Sequence, residues 1–157
     1  MKKITPFLWF DNQAEEAMNF YISIFTDSKI GTVSRYGDAG PMPKGTVMVG
    51  TFQINGQEFM VLNGGPMFKF TEAISFYLPC ESQEEVDEYW DKLSAGGQTS
   101  QCGWLKDKFG LSWQVVPTLL GELMSSKDPK KTNNVMSALM KMTKLDSKLL
   151  QEAFDKG

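Results

Sequence analysis

The 157-residue sequence contains no histidine. Imidazole is the commonest protein ligand of zinc, copper and non-haem iron, and it is the base of Ser-His-Asp triads and Cys-His pairs. Its absence therefore excludes all of these His-dependent sites. Any proton transfer by this chain would have to use a carboxylate, a lysine, a tyrosine or a cysteine.

Cysteine and long apolar runs are also scarce. The two cysteines, Cys80 and Cys102, do not make a disulfide framework in a chain of this size, and we interpret them as reduced thiols of a cytoplasmic protein. No apolar run approaches the roughly 18 residues that cross a membrane. The basic first segment is interrupted by Pro6 and Asp11, which is not typical of a signal peptide. A net charge of -3 with no basic stripe argues against a nucleic-acid partner.

The segment 103–117 has the pattern of a β-hairpin. Its turn is predicted at 107–110, because Asp107 can accept a hydrogen bond from the backbone two residues on and Gly110 tolerates a positive φ. The returning strand alternates between one face with Leu111, Trp113 and Val115 and another with Ser112, Gln114 and Val116. An unpaired buried amide is costly, so the second face either lines a cavity or makes a buried hydrogen bond. The sequence leaves both interpretations open.

The first part of the chain predicts one strand, one helix and three further strands. Residues 4–10 are apolar and aromatic, which predicts a strand. Residues 14–25 repeat apolar side chains at helical spacing, and two acidic residues lie near the start of this segment, where a helix dipole favours them. Strands are predicted at 29–36, 46–54 and 57–63. The last two are joined by Asn55-Gly56, the strongest short hairpin signal.

The same order of elements then begins again. The sequence predicts a strand at 73–79, a helix at 82–93 capped by Ser82, weak strands at 98–101 and 103–106, and the hairpin's return strand. Setting Glu15 over Glu84 also places Phe7 over Phe76, and a match at one fixed shift indicates a duplicated unit. We therefore predict an α+β fold with two βαβββ modules, module one at 1–66 and module two at 67–117.

A helical tail is predicted at 118–157, with helices near 118–124, 129–142 and 146–154. Its middle helix carries a methionine-rich apolar stripe formed by Val135, Met136, Leu139, Met140 and Met142. Such a stripe packs on its own domain or contributes to a subunit contact, since methionine adapts to irregular surfaces. Both alternatives stay open.

Four segments carry a family resemblance: TPFLWFD at 5–11, EEA at 15–17, FY at 20–21 and CGWLKDKFGLSWQVVP at 102–117. With them the chain resembles the vicinal oxygen chelate superfamily, which includes glyoxalase I, extradiol dioxygenases and bleomycin-resistance proteins. It is most similar to the PhnB-like branch, whose members often carry the label 3-demethylubiquinone-9 3-methyltransferase. The resemblance implies that the two modules form a cup-shaped mixed sheet and that the protein is a homodimer.

Metal-using relatives hold a divalent ion in the cup, with ligands from the first and last strand of each module. The resemblance places those four ligand positions at Thr5 or Pro6, at Leu62 or Asn63, at Ala73 or Ile74, and at Gln114. None of these residues supplies a charged or imidazole donor, and neutral oxygens alone hold a transition ion poorly. We therefore expect a cup without a metal and no other cofactor.

The methyltransferase label has no support from the residues. A conventional S-adenosylmethionine site would show a glycine-rich turn after a first parallel strand and an acidic residue after the second. The glycine pairs Gly64-Gly65 and Gly96-Gly97 follow no such pattern. The methyltransferase name therefore rests only on the family resemblance.

The candidate ligand-binding residues combine neutral polar groups with apolar walls. Gln114 and Ser112 share a strand face, with a structural hydrogen bond as the alternative, and Asn63 is either a third polar group or a turn residue. The wall candidates are Leu8, Phe10, Phe76 and Trp104, and simple core packing is the alternative for the first three. No catalytic residue is identified, because no neighbouring histidine or arginine is visible to activate Cys102.

Three functions remain to be weighed. The first is a metal-free small-molecule-binding protein that holds an apolar or aromatic ligand in the cup. The alternative is an enzyme of the same family, nominally a methyltransferase. The third is a module whose main role is association through the methionine-rich tail.

Overall fold

The computed structural model describes residues 1–157, and the chain divides into two compact units, Met1–Lys69 and Phe70–Gly157. Each unit contains one four-stranded mixed sheet with helices, so the α+β class is confirmed. The elements in chain order are β1(Phe7–Phe10), α1(Ala14–Ile24), β2(Ser28–Arg35), β3(Val47–Ile54), β4(Gln57–Asn63), β5(Ser75–Cys80), α2(Gln83–Ser94), β6(Gln98–Thr99), β7(Trp104–Lys106), β8(Ser112–Pro117), α3(Thr118–Met124), α4(Pro129–Leu139) and α5(Ser147–Asp155).

The two sheets have the same topology. Their strand orders are β1-β4-β3-β2 and β5-β8-β7-β6, with β1 parallel to β4 and β5 parallel to β8. The remaining neighbours are antiparallel. This identity of order confirms the predicted duplication. None of the helices is long and apolar enough to cross a membrane.

The structural alignment of β1 with β5 differs from the alignment that the fixed sequence shift predicts. Phe7 is half exposed on the face of its sheet away from α1, whereas Phe76 packs edge-on against the buried Trp113 with ring centroids 5.2 Å apart. The reason is a connection of different length, since three residues separate β1 from α1 and two separate β5 from α2. The fixed shift therefore aligns the helices but brings strand residues of opposite faces together.

One face of the first sheet packs on α1 through aromatic and aliphatic side chains. The ring of Tyr21 stacks on Phe52 at 5.7 Å between centroids, and Phe52 stacks on Phe59 at 5.1 Å. Gly50 lets the helix approach, because a Cβ at this position would lie 2.8 Å from the Met18 Cε. The predicted turn at Asn55-Gly56 is confirmed by positive φ angles of 50° and 81°.

The hairpin between β7 and β8 is organised by the Asp107 carboxylate. One oxygen accepts the backbone N–H of Phe109 at 2.9 Å and of Leu111 at 3.1 Å. The other accepts the indole N–H of Trp113 at 3.0 Å. The φ of Gly110 is 86°, so the predicted turn is confirmed. Asp107 is buried, and its carboxylate fixes both the turn and the Trp113 side chain of the return strand.

Removing this carboxylate should destabilise the protein strongly. We expect Asp107→Ala to lower the free energy of unfolding by about 3 kcal/mol, because two buried donors and one part-buried donor lose a charged acceptor. Urea denaturation followed by tryptophan fluorescence measures the change. The exposed Asp38 pairs only with Lys44, so Asp38→Ala is the control and should change stability by less than about 0.5 kcal/mol. Equal losses in the two variants would contradict this role of Asp107.

The second sheet packs one face on α2. The Ser82 Oγ caps this helix by accepting the Glu85 N–H at 3.1 Å, as predicted. The buried residues of the helix are Val86, Trp90 and Leu93, and the buried side chains on the facing strands include Leu105, Trp113 and Val115. Alternation along β8 therefore directs Ser112 and Gln114 to the other face, which we call the open face of module two.

The tail packs on its own unit. Its core joins Val116 at the end of β8 to Leu123, Val135, Met142, Leu145 and Leu150. Backbone N–H groups of Cys102 and Gly103 donate to the carbonyls of Met142 and Thr143 at 2.9 and 2.8 Å. These bonds hold 142–143 in a non-helical path, which explains why α4 ends at Leu139 rather than at the predicted 142.

Only some residues of the methionine-rich stripe pack in the core of the tail. Val135 and Met142 are buried in the tail core, whereas Met136 and Met140 are 41% and 63% exposed. The domain-packing interpretation therefore holds for the buried residues. A subunit contact through the exposed methionines stays a prediction.

Gln83 clamps the tail to α2. Its amide donates to the Leu145 carbonyl at 3.0 Å and its oxygen accepts the Ser147 N–H at 2.8 Å. Beside it, the Lys144 ammonium contacts Asp87 at 2.9 Å and lowers the pKa of that carboxyl. The start of α5 is thus held by both a neutral clamp and an ion pair.

Gln83→Ala should loosen the tail locally. We expect faster amide hydrogen exchange in 142–157 and a loss of about 1–2 kcal/mol in unfolding free energy, because the part-buried partners of the amide are left unpaired. Gln151→Ala removes only an exposed contact with Asp155 and should change neither quantity measurably. Unchanged exchange in Gln83→Ala would show that the clamp does not hold the tail.

Candidate functional site

The open face of module two brings three of the predicted site residues together. The strand register places Gln114 between Tyr77 and Trp104, and Ser112 between Ser75 and Lys106. Side chains of directly paired residues share a sheet face, about 5 Å apart at their Cβ atoms. Gln114, Ser112 and Trp104 are therefore neighbours on one surface.

Gln114 is partly committed to the sheet itself. Its amide nitrogen donates to the Ser75 Oγ at 2.9 Å, and the side chain is half-buried. This is the structural hydrogen bond that the sequence left as one alternative. The bond fixes the amide on the open face and holds β5 to β8 by side chains as well as backbone.

Ser112 is the unusual residue of this face. Its hydroxyl oxygen is buried and has no hydrogen-bond partner. Buried polar groups in folded proteins are nearly always paired, and an unpaired one calls for an explanation. The residue lines a recess of about 290 Å³, which we call the module-two recess, formed by Glu72, Gln98, Thr99, Ser100, Trp104, Leu105, Lys106 and Ser112. The oxygen is closed to solvent, so a ligand in this recess would supply the missing partner once the side chains that cover the oxygen move aside.

The recess contains one pair of opposite charges. The Lys106 ammonium forms an ion pair with the Glu72 carboxylate, and both side chains are about half exposed. The hydrogen bond and charge of Lys106 hold the pKa of the Glu72 carboxyl below its usual value. Sequence reasoning missed both residues. Lys106 could have been found from its period-two spacing after Trp104, whereas Glu72 lies in a connection and reaches the site only through the tertiary fold.

The other four predicted residues lie elsewhere. Leu8 and Phe10 are buried on the α1 side of the first sheet, and Phe76 packs on Trp113 on the α2 side of the second. The Asn63 amide accepts the Ala14 N–H and donates to the Val47 carbonyl, both at 2.9 Å. Both polar atoms of this side chain are therefore used in hydrogen bonds to the start of α1 and the start of β3. We leave these four residues out of the proposed site.

Neither cysteine is placed for nucleophilic chemistry. Burial and the charge of Glu85 raise the pKa of the Cys80 thiol to about 11, so this thiol stays protonated. The Cys102 sulfur contacts the Leu139 carbonyl at 3.6 Å and the Met140 sulfur at 4.0 Å. These contacts provide neither a base nor a positive charge for a thiolate.

Comparisons with known proteins agree on the fold. The model of the family described as 3-demethylubiquinone-9 3-methyltransferase matches residues 2–116. A PhnB protein from Bacillus cereus, described under the same methyltransferase name, is 44% identical with a TM-score of 0.69, over 74% of this chain and 99% of that one. No curated protein matches the chain.

Two more distant structures share the architecture. The fosfomycin resistance protein FosX from Listeria monocytogenes, complexed with Mn(II) and sulfate, is 17% identical with a TM-score of 0.50, over 72% of this chain and 87% of that one. A glyoxylase/bleomycin resistance protein/dioxygenase domain from Frankia sp. EAN1pec is 14% identical with a TM-score of 0.52, over 74% and 92%.

These comparisons and the duplicated modules define the vicinal oxygen chelate fold. Within it, the chain belongs to the 3-demethylubiquinone-9 3-methyltransferase family, in the PhnB-like branch. The family match ends at residue 116, so the helical tail lies outside the matched part.

The residues of this chain do not fit the divalent metal that the fold accommodates in FosX. No three His, Cys, Asp or Glu side chains gather where they could hold an ion. At the positions that the resemblance assigns to ligands, the Asn63 amide is used in hydrogen bonds, and the Gln114 amide is a neutral donor group bonded to Ser75. Transition ions are held by carboxylate, imidazole or thiolate groups, which this set lacks.

The unpaired hydroxyl of Ser112 predicts an unusual response to substitution. We expect Ser112→Ala, without ligand, to raise the free energy of unfolding by about 1 kcal/mol, because an unsatisfied buried polar group is removed. Its strand neighbour Ser75 accepts from Gln114, so Ser75→Ala should lower stability by about 1 kcal/mol instead. Chemical denaturation of both variants measures this contrast. A loss of stability in Ser112→Ala would show that its hydroxyl is already paired in the free protein.

Proposed function

We propose that this protein binds a small organic ligand in the module-two recess and does so without a metal ion. The observation that carries the proposal is the buried Ser112 hydroxyl, which lacks a partner and belongs to a residue that lines the recess. A hydroxyl both donates and accepts, so the ligand presents a polar group at this point. The rest of the recess then orients the remainder of the ligand.

The shape and composition of the recess support a small planar ligand. Its volume of about 290 Å³ lies at the lower end of the usual range for ligand sites. Trp104 contributes a flat, half-buried indole, which favours an aromatic ring packed against it. We infer an aromatic ligand of one or two rings with a hydrogen-bonding substituent.

A methyltransferase activity is the alternative, and the family name supports it. The described residues supply no glycine-rich turn for S-adenosylmethionine, so binding remains the preferred function. Homodimer formation, a cytoplasmic location and the module boundaries at 66 and 117 stay predictions that rest on the resemblance and on composition.

A ligand screen with matched variants tests the proposal. Thermal unfolding is followed with S-adenosylmethionine, quinones and aromatic compounds, because a ligand of the native state raises Tm by mass action. We expect an aromatic compound to stabilise the wild type and to bind Ser112→Ala about tenfold more weakly, which corresponds to one hydrogen bond. Ser137→Ala, an exposed tail position, should bind like the wild type.

Two results would go against the proposal. Equal affinity of Ser112→Ala and the wild type for a stabilising aromatic compound would place the ligand outside the recess. Stabilisation by S-adenosylmethionine together with methylation of a phenol would favour the enzyme.

A further inference from the structure

Two potential donors lie side by side in the module-two recess. Lys106 on β7 and Ser112 on β8 are directly paired in the ladder, and both line the recess. Paired residues have Cβ atoms about 5 Å apart on the same face. The ammonium of Lys106 can only donate, and the Ser112 hydroxyl can donate as well. The two groups together therefore suit one ligand group that accepts twice.

The fold holds the backbone of Lys106 more firmly than the backbone of Glu72. Lys106 lies within β7, and its backbone is paired with Gln98 of β6 on one side and Ser112 on the other. Glu72 lies in the irregular segment before β5, outside any strand or helix. A rearrangement that separates the pair therefore moves Glu72 more easily than Lys106.

Exchange of partners at Lys106 costs little. The Glu72–Lys106 pair is about half exposed, and ion pairs of this kind contribute little to stability. A ligand anion that replaces Glu72 keeps Lys106 paired and gains the donor at Ser112, which otherwise has no partner. A ligand cation at Glu72 would leave both Lys106 and Ser112 without an acceptor.

We propose that the ligand of the recess is an aromatic carboxylate, whose carboxylate group contacts Lys106 and Ser112 in place of Glu72. Its ring packs on the indole of Trp104, two residues from Lys106 on the same strand face. This inference rests on the proposed function and adds the charge of the ligand to it.

Phenylacetate and its neutral amide, phenylacetamide, form a matched pair of probes. Their titration into labelled full-length protein is followed by two-dimensional NMR, which reports the residues that each probe perturbs. We expect both probes to perturb the recess and the carboxylate to bind about fivefold more tightly, a preference typical of one exposed charge contact. Added salt should reduce this preference, because the charges are exposed.

Charge variants separate the two partners of Lys106. Lys106→Gln should remove the preference for phenylacetate, and Glu72→Gln should strengthen phenylacetate binding about threefold while leaving phenylacetamide unchanged, because the competing carboxylate is gone. The control is Glu88→Gln, which removes the exposed Glu88–Lys92 pair of α2 and should leave both affinities at the wild-type values.

The outcomes distinguish the carboxylate inference from the proposed function. Equal affinity for the two probes in the wild type, or no gain in Glu72→Gln, would overturn the carboxylate inference while the recess remains a binding site. Perturbations confined to residues outside the recess, for both probes, would overturn the proposed function as well.

Discussion

The proposed binding surface of this protein depends on the buried Asp107 carboxylate. By accepting two backbone N–H groups of the turn and the Trp113 indole, it fixes where β7 ends and β8 begins. Side chains alternate along a strand, so a slip of one residue would direct Trp113 outward and Ser112 toward α2. The indole bond opposes that slip, because it requires Trp113 on the helix side. The same carboxylate thereby keeps Ser112 beside Lys106.

The two modules use equivalent sheets for different purposes. In module one, the amide at the end of β4, Asn63, holds the start of α1 and is consumed by the fold. In module two, the amide and hydroxyl of β8 are directed away from α2, and only Gln114 finds a partner in the sheet. A polar residue on a strand thus has two outcomes, and the face of β8 directed away from α2 shows both of them. Ser112 is the residue of this face whose hydroxyl stays unpaired.

The sequence predicted the helices, strands and turns better than the tertiary contacts of individual side chains. Local signals such as Asn55-Gly56 and the Ser82 cap specify short-range geometry, and the structure agrees with them. Whether Asn63 faces a helix or a ligand depends on strand pairing, which no local pattern reports. The alignment of Phe7 with Phe76 misplaced a strand by one position, because the connections before the two helices differ in length. Glu72 escaped prediction for a similar reason, since its contact with Lys106 is set by the fold of the whole unit.

The chemistry of the recess argues for binding rather than proton transfer. Its ionisable side chains are Glu72 and Lys106, which are paired with each other. The lysine lowers the pKa of the carboxyl, and a carboxylate with a lowered pKa is a weak base near neutral pH. The remaining polar side chains carry hydroxyls, an amide and an indole N–H, which orient a ligand but do not exchange protons near neutral pH. With no histidine in the chain, recognition by shape, one charge and one unpaired hydroxyl is the chemistry that these residues support.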